Sequence, residues 1–464
     1  MERAAAPDCG AIGSLGFDSL GASDEALVER LCEMAAALRA PERLQRTPAQ
    51  VRGYFEACRA RMRPNPFHNW NHAADVAQFA FLLLHRTGLD RCLCDEQVLG
   101  LFFGAVGHDM DHRGKSNAYE INEKTELALR HKGAAPLEAH HTELALAALA
   151  ESELLDGLPA ERAELTRSVV RDVIDATDMG QHTEILRECK AAFRALEELP
   201  RTFFSVSPFG GDEPARLLLK LLIKGADISN PSRPAAVAER WNERCYEEFY
   251  AEGDADRAKQ RKLNPLHDRE SNVIPRSSVG FIGFVVTPLF KELRKFLRAA
   301  AKMEGGEALD AAVAAEILQG LEANKQLHAE RAAALAAVPA SPPKAASDDA
   351  PPPLEDPRVE GVTAEAGDLG VGGSPRGGEA GERKLFAPTG VAGEMAVATT
   401  LVAAEPAPEP KPEAGAETEA EAEPEQPEER AGEEPAVEAA AGDALGAPPD
   451  EAAPRPTEPS TNTQ

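Results

Sequence analysis

Pro66-Phe67-His68-Asn69-Trp70-Asn71-His72-Ala73-Ala74-Asp75 and Gly107-His108-Asp109-Met110-Asp111-His112-Arg113-Gly114-Lys115-Ser116-Asn117 are the two segments around which the chain is organised. Each holds a His pair at i, i+4, a spacing that puts both rings on one face if the segment is helical. Asp109 follows His108 directly, which offers one nitrogen and one oxygen donor to a divalent ion at a helix edge. A single His-x-x-x-His is more often a solvated helix face than a metal site. Two of them, one running into His-Asp-x-Asp-His, with nine of the eleven histidines between positions 68 and 182, have the density of a metal or catalytic centre. The chemistry expected is that of a metallohydrolase.

Working outward, the chain divides by composition. Of the formal net charge of −28 over 464 residues, −20 falls on positions 346–464, which hold 27 acidic and 7 basic residues. Runs such as Glu417-Thr418-Glu419-Ala420-Glu421 bury too little apolar surface to offset ordering entropy, so 341–464 are expected to be a disordered acidic tail. Residues 1–22, rich in Gly and Ala, are expected to be a flexible lead-in, and 23–340 the catalytic domain. The acidity argues against nucleic-acid or anionic-membrane binding, though the tail remains open to unknown protein partners. No apolar run approaches the ~20 residues of a membrane span, and Met1 to Asp8 lack the apolar centre of a signal peptide; a cytoplasmic protein is expected. The seven cysteines have no metal-clip spacing apart from one Cys-x-Cys and are read as reduced, mostly buried thiols.

Helical periodicity dominates the central region. Ser23 is a cap for the stripe Leu27, Leu31, Met34 and Leu38, and Thr47-Pro48 opens a second helix. Val76, Phe79, Ala80, Leu83 and Leu84 continue the first His segment, and Val98, Leu101, Phe102 and Ala105 lead into the second. Further helices are expected over 120–131, 137–154, 161–178, 216–227, 234–252, 277–300 and 308–337, with 253–276 as loop. β-branched alternation never persists, so the fold class is all-α, a multi-helix bundle. Asp227, ending an apolar helix, is the best candidate for a second acidic ligand beside His72, His108 and Asp109.

With those segments in view, residues 25–340 resemble the catalytic domain of class I 3′,5′-cyclic-nucleotide phosphodiesterases, a fold of the HD-domain type. The matching stretches are Phe67-His68-Asn69-x-x-His72-Ala73-x-Asp75-Val76, His108-Asp109-x-Asp111-His112-x-Gly114-x-x-Asn117, Leu137-Glu138-x-His140-His141, Ala176-Thr177-Asp178-Met179, Ala226-Asp227-Ile228-Ser229-Asn230-Pro231 and Gly280-Phe281-Ile282. The resemblance implies hydrolysis of cAMP or cGMP to the 5′-monophosphate. It further implies Zn²⁺ held by His72, His108, Asp109 and Asp227, and a second ion, Mg²⁺ or Mn²⁺, bridged by Asp109 and otherwise held by waters that His112, Glu138 and Thr177 position. His68 matches the general acid, Glu248 the residue that orients it, and Phe67, Asn230, Cys245, Ser278 and Phe281 the substrate-binding positions.

The base side departs from the family pattern. Ser278 stands where a Gln amide usually hydrogen-bonds the purine, and Cys245 where a branched aliphatic usually faces Phe281. Ala139 replaces an Asn, Gly283 an Asp, and Phe67 the commoner Tyr. Hydrolysis with altered base recognition is therefore expected. Two alternatives stand beside it: a catalytically weak relative that binds cyclic nucleotide, and an HD-type metal phosphohydrolase acting on another phosphate ester.

Overall fold

Ser23 caps the first long helix as its position predicts, its hydroxyl accepting the Ala26 N–H at the start of α1 (Asp24–Ala37). The structure, a computed structural model, describes residues 10–197, 212–302 and 309–337. The expected disordered tail from 341 onward lies outside them. After α2 (Ala40–Leu44), Thr47 and Gln50 form a capping box at the start of α3 (Pro48–Arg59). Asn69 caps α4 (Trp70–Thr87), which is buried along nearly its whole length, and α5 (Asp95–Gly107) follows. The order continues through α6 (Asn117–Glu123), α7 (Glu126–Arg130), α8 (Pro136–Glu151), α9 (Ala160–Asp175) and α10 (His182–Glu197). It closes with α11 (Asp212–Asp227), α12 (Ala235–Ala258), α13 (Ile274–Phe281), α14 (Thr287–Ala300) and α15 (Ala312–Ala337). No strand occurs among the described residues, in agreement with the all-α class.

Close helix contacts aim the two His segments inward. Gly100 and Gly104, one turn apart on α5, let that helix lie against α9: a Cβ at Gly100 would stand 2.5 Å from Val169 Cγ1, and one at Gly104 2.4 Å from Val173 Cγ2. α5 also packs on α4, so the C-terminal end of one and the first turn of the other are fixed relative to each other. Tyr54 of α3 adds a tie, its hydroxyl donating to Phe103 O at 2.8 Å.

The first 22 residues differ from the flexible lead-in expected of them, as far as they are described. Ile12, Leu15 and Phe17 are buried. Gln78 Nε2 donates to Ile12 O at 2.8 Å and to Ser14 O at 3.1 Å, Asn71 Nδ2 to Ser19 O at 2.7 Å, and Ser19 Oγ to Asp75 Oδ1 at 3.2 Å. Arg233 joins the same network, with Nε 3.0 Å from Asp75 Oδ2 and Nη2 2.8 Å from Gln78 Oε1. Three apolar anchors and polar groups on α4 that receive the backbone hold what composition alone reads as loose.

Other boundaries moved as well. The helix expected over 120–131 breaks at Lys124, whose φ of 51° is left-handed, into α6 and α7. α12 runs to Ala258, through positions expected to be loop, and α10 occupies a stretch for which no helix was expected. The helix expected over 277–300 is interrupted by a π turn at Ile282–Val286. Pro288 has no N–H to offer the carbonyl four residues back, and a widened turn accommodates it. Of the six cysteines described, all free, only Cys58 and Cys189 are buried; Cys94 is exposed and the other three are intermediate, so the thiols are less buried than expected.

Candidate active site and metal centre

Neither His pair lies within a helix. His68 precedes Asn69, the cap of α4, and His108 caps the end of α5, with His112 beyond a left-handed Asp111 (φ 60°). The condition attached to the i, i+4 spacing, that both segments be helical, is not met, and a shared helix face is not what brings the rings together. Instead Asp111 N–H donates to Arg61 O at 3.0 Å and Asn65 Nδ2 donates to both His68 O and His112 O at 2.8 and 2.7 Å, which folds the two segments onto one another. The His68 and His112 rings stack with centroids 3.9 Å apart.

Four donors drawn from three parts of the chain converge behind that stack. His72 Nε2 lies 3.1 Å from Asp227 Oδ1 and 3.4 Å from Asp109 Oδ2; His108 Nε2 lies 3.1 Å from Asp109 Oδ2 and 3.4 Å from Asp227 Oδ1. His108 Nδ1 is paired with Ala105 O at 2.8 Å, which turns Nε2 inward. Burial opposes a proton on His108, yet the Asp109 and Asp227 carboxylates raise its pKa well above the imidazole range. Against the penalty of burial, the surrounding imidazoles, His108 foremost, hold Asp109 and Asp227 well below the usual carboxylate range. Asp109 is buried and Asp227 partly so, and the ion-pair partners of both among the described residues are imidazoles, so either protons on those rings or a bound cation in place of the protons compensates the two carboxylates. His108 Nε2 and Asp109 Oδ2 are moreover buried without a hydrogen-bond partner. Two nitrogens and two carboxylate oxygens at these spacings suit a divalent ion.

A neighbouring group extends the site. Asp109, His112 and His141 place one donor atom each within 4.8 Å of one another, and all three are buried. Burial, then the charge of His68, lowers the His112 pKa far below its ordinary value, and burial pushes His141 down to about 4. His141 Nδ1 is 2.7 Å from Met110 O, and its Nε2 is buried and unpartnered, 3.8 Å from Asp109 Oδ1. No role had been assigned to His141 from sequence. Its spacing of three from Glu138, which shares a helix face with it, was the available signal. Glu138 itself opens α8 and accepts from Asn117 Nδ2 at 2.8 Å; burial, helped by the charges of Asp178 and Asp109, pushes its pKa up to about 7. Thr177 is buried and donates to Ile174 O at 2.7 Å.

His68 and Glu248 form a separate unit. Glu248 Oε2 is 2.6 Å from His68 Nδ1, while Oε1 accepts the backbone N–H groups of Phe67 and His68 at 2.7 and 2.8 Å. The carboxylate is therefore fixed by three contacts. Although burial works against the charged ring, Glu248, with Asp109 and Asp227 behind it, raises the His68 pKa to about 9. The His68 side chain keeps 25% of its surface exposed, against none for His72, so it is the one of the pair that an incoming molecule reaches.

The expected substrate positions are more dispersed. The Phe67 ring packs against His72 and Trp241 at centroid distances of 4.7 and 5.5 Å. Asn230 directs its amide nitrogen to Asp75 Oδ2 at 2.9 Å, inside the buried Arg233 network, so that donor is committed to the fold. Ser278 is buried and donates to Asn242 Oδ1 at 3.3 Å, a partner that sequence reasoning missed. Cys245, whose thiol pKa burial raises, and Phe281 are half-buried.

Comparison with known proteins agrees with this constellation. A family model described as 3′5′-cyclic nucleotide phosphodiesterase matches residues 67–305, just over half of the chain. The human high affinity cGMP-specific 3′,5′-cyclic phosphodiesterase 9A is 32% identical over 250 residues, covering 53% of this chain and 40% of the relative. The mouse dual specificity calcium/calmodulin-dependent 3′,5′-cyclic nucleotide phosphodiesterase 1B is 34% identical over 232 residues, covering 49% and 41%. The match thus spans about two fifths of the length of these curated relatives. Among solved structures, the phosphodiesterase domain of Salpingoeca rosetta rhodopsin phosphodiesterase superposes with a TM-score of 0.62 at 25% identity, covering 71% of this chain and 94% of that one. Among the described residues no helix is long and apolar enough to cross a membrane. The chain belongs to the 3′,5′-cyclic nucleotide phosphodiesterase family, and dependence on divalent metal comes with that membership.

Proposed function

We propose that this protein hydrolyses the 3′,5′-cyclic phosphodiester of cAMP or cGMP to give the nucleoside 5′-monophosphate, with His68 as proton donor. The observation that carries the proposal is the convergence of His72, His108, Asp109 and Asp227 beside a His68 that Glu248 orients from the other side. Those four residues would hold Zn²⁺; Asp109 would be shared with a second ion, Mg²⁺ or Mn²⁺, whose waters His112, Glu138 and Thr177 would position. Bound there, the ions would supply Lewis-acid stabilisation of the phosphoryl oxygens and a water of lowered pKa.

The chain's own residues do the rest. A departing 3′ alkoxide is a poor leaving group, and a protonated His68 removes that barrier by giving its Nε2 proton to the oxygen as the P–O bond breaks. Glu248 keeps the ring charged and its Nδ1 occupied, so Nε2 is the nitrogen left to donate. Phe67, Cys245, Ser278, Asn230 and Phe281 are proposed to bind the nucleotide, with Asn242 added to Ser278 as its hydrogen-bond partner. A cytoplasmic location, where the substrate would be met, and protein partners for the acidic tail are further proposals.

The experiment is an assay of the purified full-length chain with cAMP and with cGMP, in Mg²⁺ or Mn²⁺. Formation of 5′-monophosphate that stops with chelator is expected; no turnover of either nucleotide overturns the proposal. Since Ser278 provides one hydroxyl where an amide fork is expected, a weakly catalytic nucleotide binder is the second reading. It predicts nucleotide binding that survives Asp227→Ala. A panel of other phosphate esters addresses the wider HD-type alternative.

A further inference from the structure

Away from the catalytic constellation, a second cluster of metal-ligating side chains stands where α7 meets α8. His131 caps the C-terminal end of α7, and His140 and Glu143 lie at i, i+3 on α8. One donor atom from each of the three falls within 4.8 Å of the others. His131 Nε2 is 3.5 Å from Glu143 Oε2. Two donors each about 2.0–2.1 Å from a tetrahedral ion lie roughly 3.4 Å apart, so the gap has the width of a metal.

A similar ring arrangement at the proposed zinc centre provides an internal standard. There the His72 and His108 rings have centroids 5.2 Å apart at an interplanar angle of 62°; the His131 and His140 rings are 5.7 Å apart at 55°. Donor separations of 3.1 to 3.4 Å there compare with 3.5 Å between His131 and Glu143 here, with the His140 donor within 4.8 Å of both.

The surroundings also suit an ion. His131 Nε2 is buried and has no hydrogen-bond partner, and burial lowers the pKa of this ring, so it is neutral with a lone pair to give. Asp111 Oδ2 lies 2.9 Å from His140 Nε2, with Arg63 Nε holding the other oxygen of Asp111 at 2.6 Å. A carboxylate paired with a histidine in this way fixes the orientation of a metal-ligating ring. Glu143 engages Arg130 through Oε1, which leaves Oε2 towards His131.

We propose that His131, His140 and Glu143 form a further binding site for a transition-metal ion of the zinc class. Two imidazoles and one carboxylate leave a coordination position for water, and Glu143, 47% exposed, opens the site to solvent. An ion there ties α7 to the first turns of α8, the helix that carries Glu138 and His141. The site does not depend on the hydrolase reading, since none of its three side chains belongs to the catalytic set.

The test is a metal count. Full-length protein is stripped with chelator, equilibrated with Zn²⁺, desalted and analysed by plasma mass spectrometry. Wild type should retain one zinc per chain more than His131→Ala and more than Glu143→Ala, while Asp227→Ala keeps the His131-dependent ion. Replacing zinc by Co²⁺ should give a visible-band difference between wild type and His131→Ala. Melting of the metal-free variants checks the fold; if His131→Ala melts early, the count rests on the more exposed Glu143→Ala. Equal zinc in wild type and Glu143→Ala overturns the site.

Discussion

Around Asp109, four donor atoms face one another at 3.1 to 3.4 Å from side chains of which only Asp227 is partly exposed, whereas the Ser278 hydroxyl is held by a 3.3 Å hydrogen bond to Asn242. α12 serves both regions: Glu248 fixes His68, and Asn242, six residues earlier and so about 9 Å along the axis, meets Ser278. The difference is one of physical tolerance. Two facing carboxylates, one buried and one largely so, need a cation or protons between them, so displacing one donor leaves a poorly compensated charge. A hydroxyl next to an amide costs little to rearrange, and the pocket there changes its recognition without unfolding.

The largest effect should come from breaking the rigid side. Asp227→Ala is expected to lower kcat by about 10⁴-fold or more, the several kcal/mol that metal ions contribute at phosphoryl oxygens, with loss of one bound zinc in the metal count. His68→Asn should cost about 10²–10⁴-fold in kcat, the range for a general acid, while the metal content stays that of wild type. A drop in metal content in His68→Asn would merge two units that the structure keeps separate.

Glu248→Gln tests how the proton donor is tuned. Raised to about 9, His68 stays protonated below that pH and loses its proton above it, so activity should hold through neutrality and fall on the alkaline side. Without the Glu248 charge, burial is less opposed, and the alkaline limb of kcat/KM should move to lower pH. An unmoved limb would show that another group donates the proton.

Arg233→Ala asks whether the rigid side owes its order to the network beneath it. The side chain is buried beside Asp75, one turn after His72, and leaving that carboxylate without its cationic partner should destabilise the fold by about 3–5 kcal/mol in denaturant titrations. The smallest effect belongs to the tolerant side. Asn242→Ala or Ser278→Ala should change KM by the equivalent of about 1–3 kcal/mol and leave kcat within a few-fold, read from the two nucleotides separately. A collapse of kcat in either variant would erase the contrast between the regions.

Periodicity and capping residues made much of the helical frame legible: Ser23, Thr47-Pro48 and the stripes after His72 and before His108 speak locally. His72, His108, Asp109 and Asp227 were also recognisable, because ligand chemistry restricts the residue types. What escaped depended on tertiary contact. Asn65 bridging two backbones, Asp111 turning left-handed and residues 10–22 seated on Gln78 and Arg233 leave no periodic signal in the chain. The i, i+4 spacing pointed to the right histidines through a helical geometry that neither pair adopts. Asn242 was missed for the same reason: its significance lies in Ser278, 36 positions away.

Anomalous scattering at the zinc edge, from crystals of the full-length protein prepared with zinc and magnesium, tests the central claim most directly. A peak within bonding distance of His72, His108, Asp109 and Asp227 together is the predicted result. An empty position there, or a peak that excludes Asp227, would contradict the account.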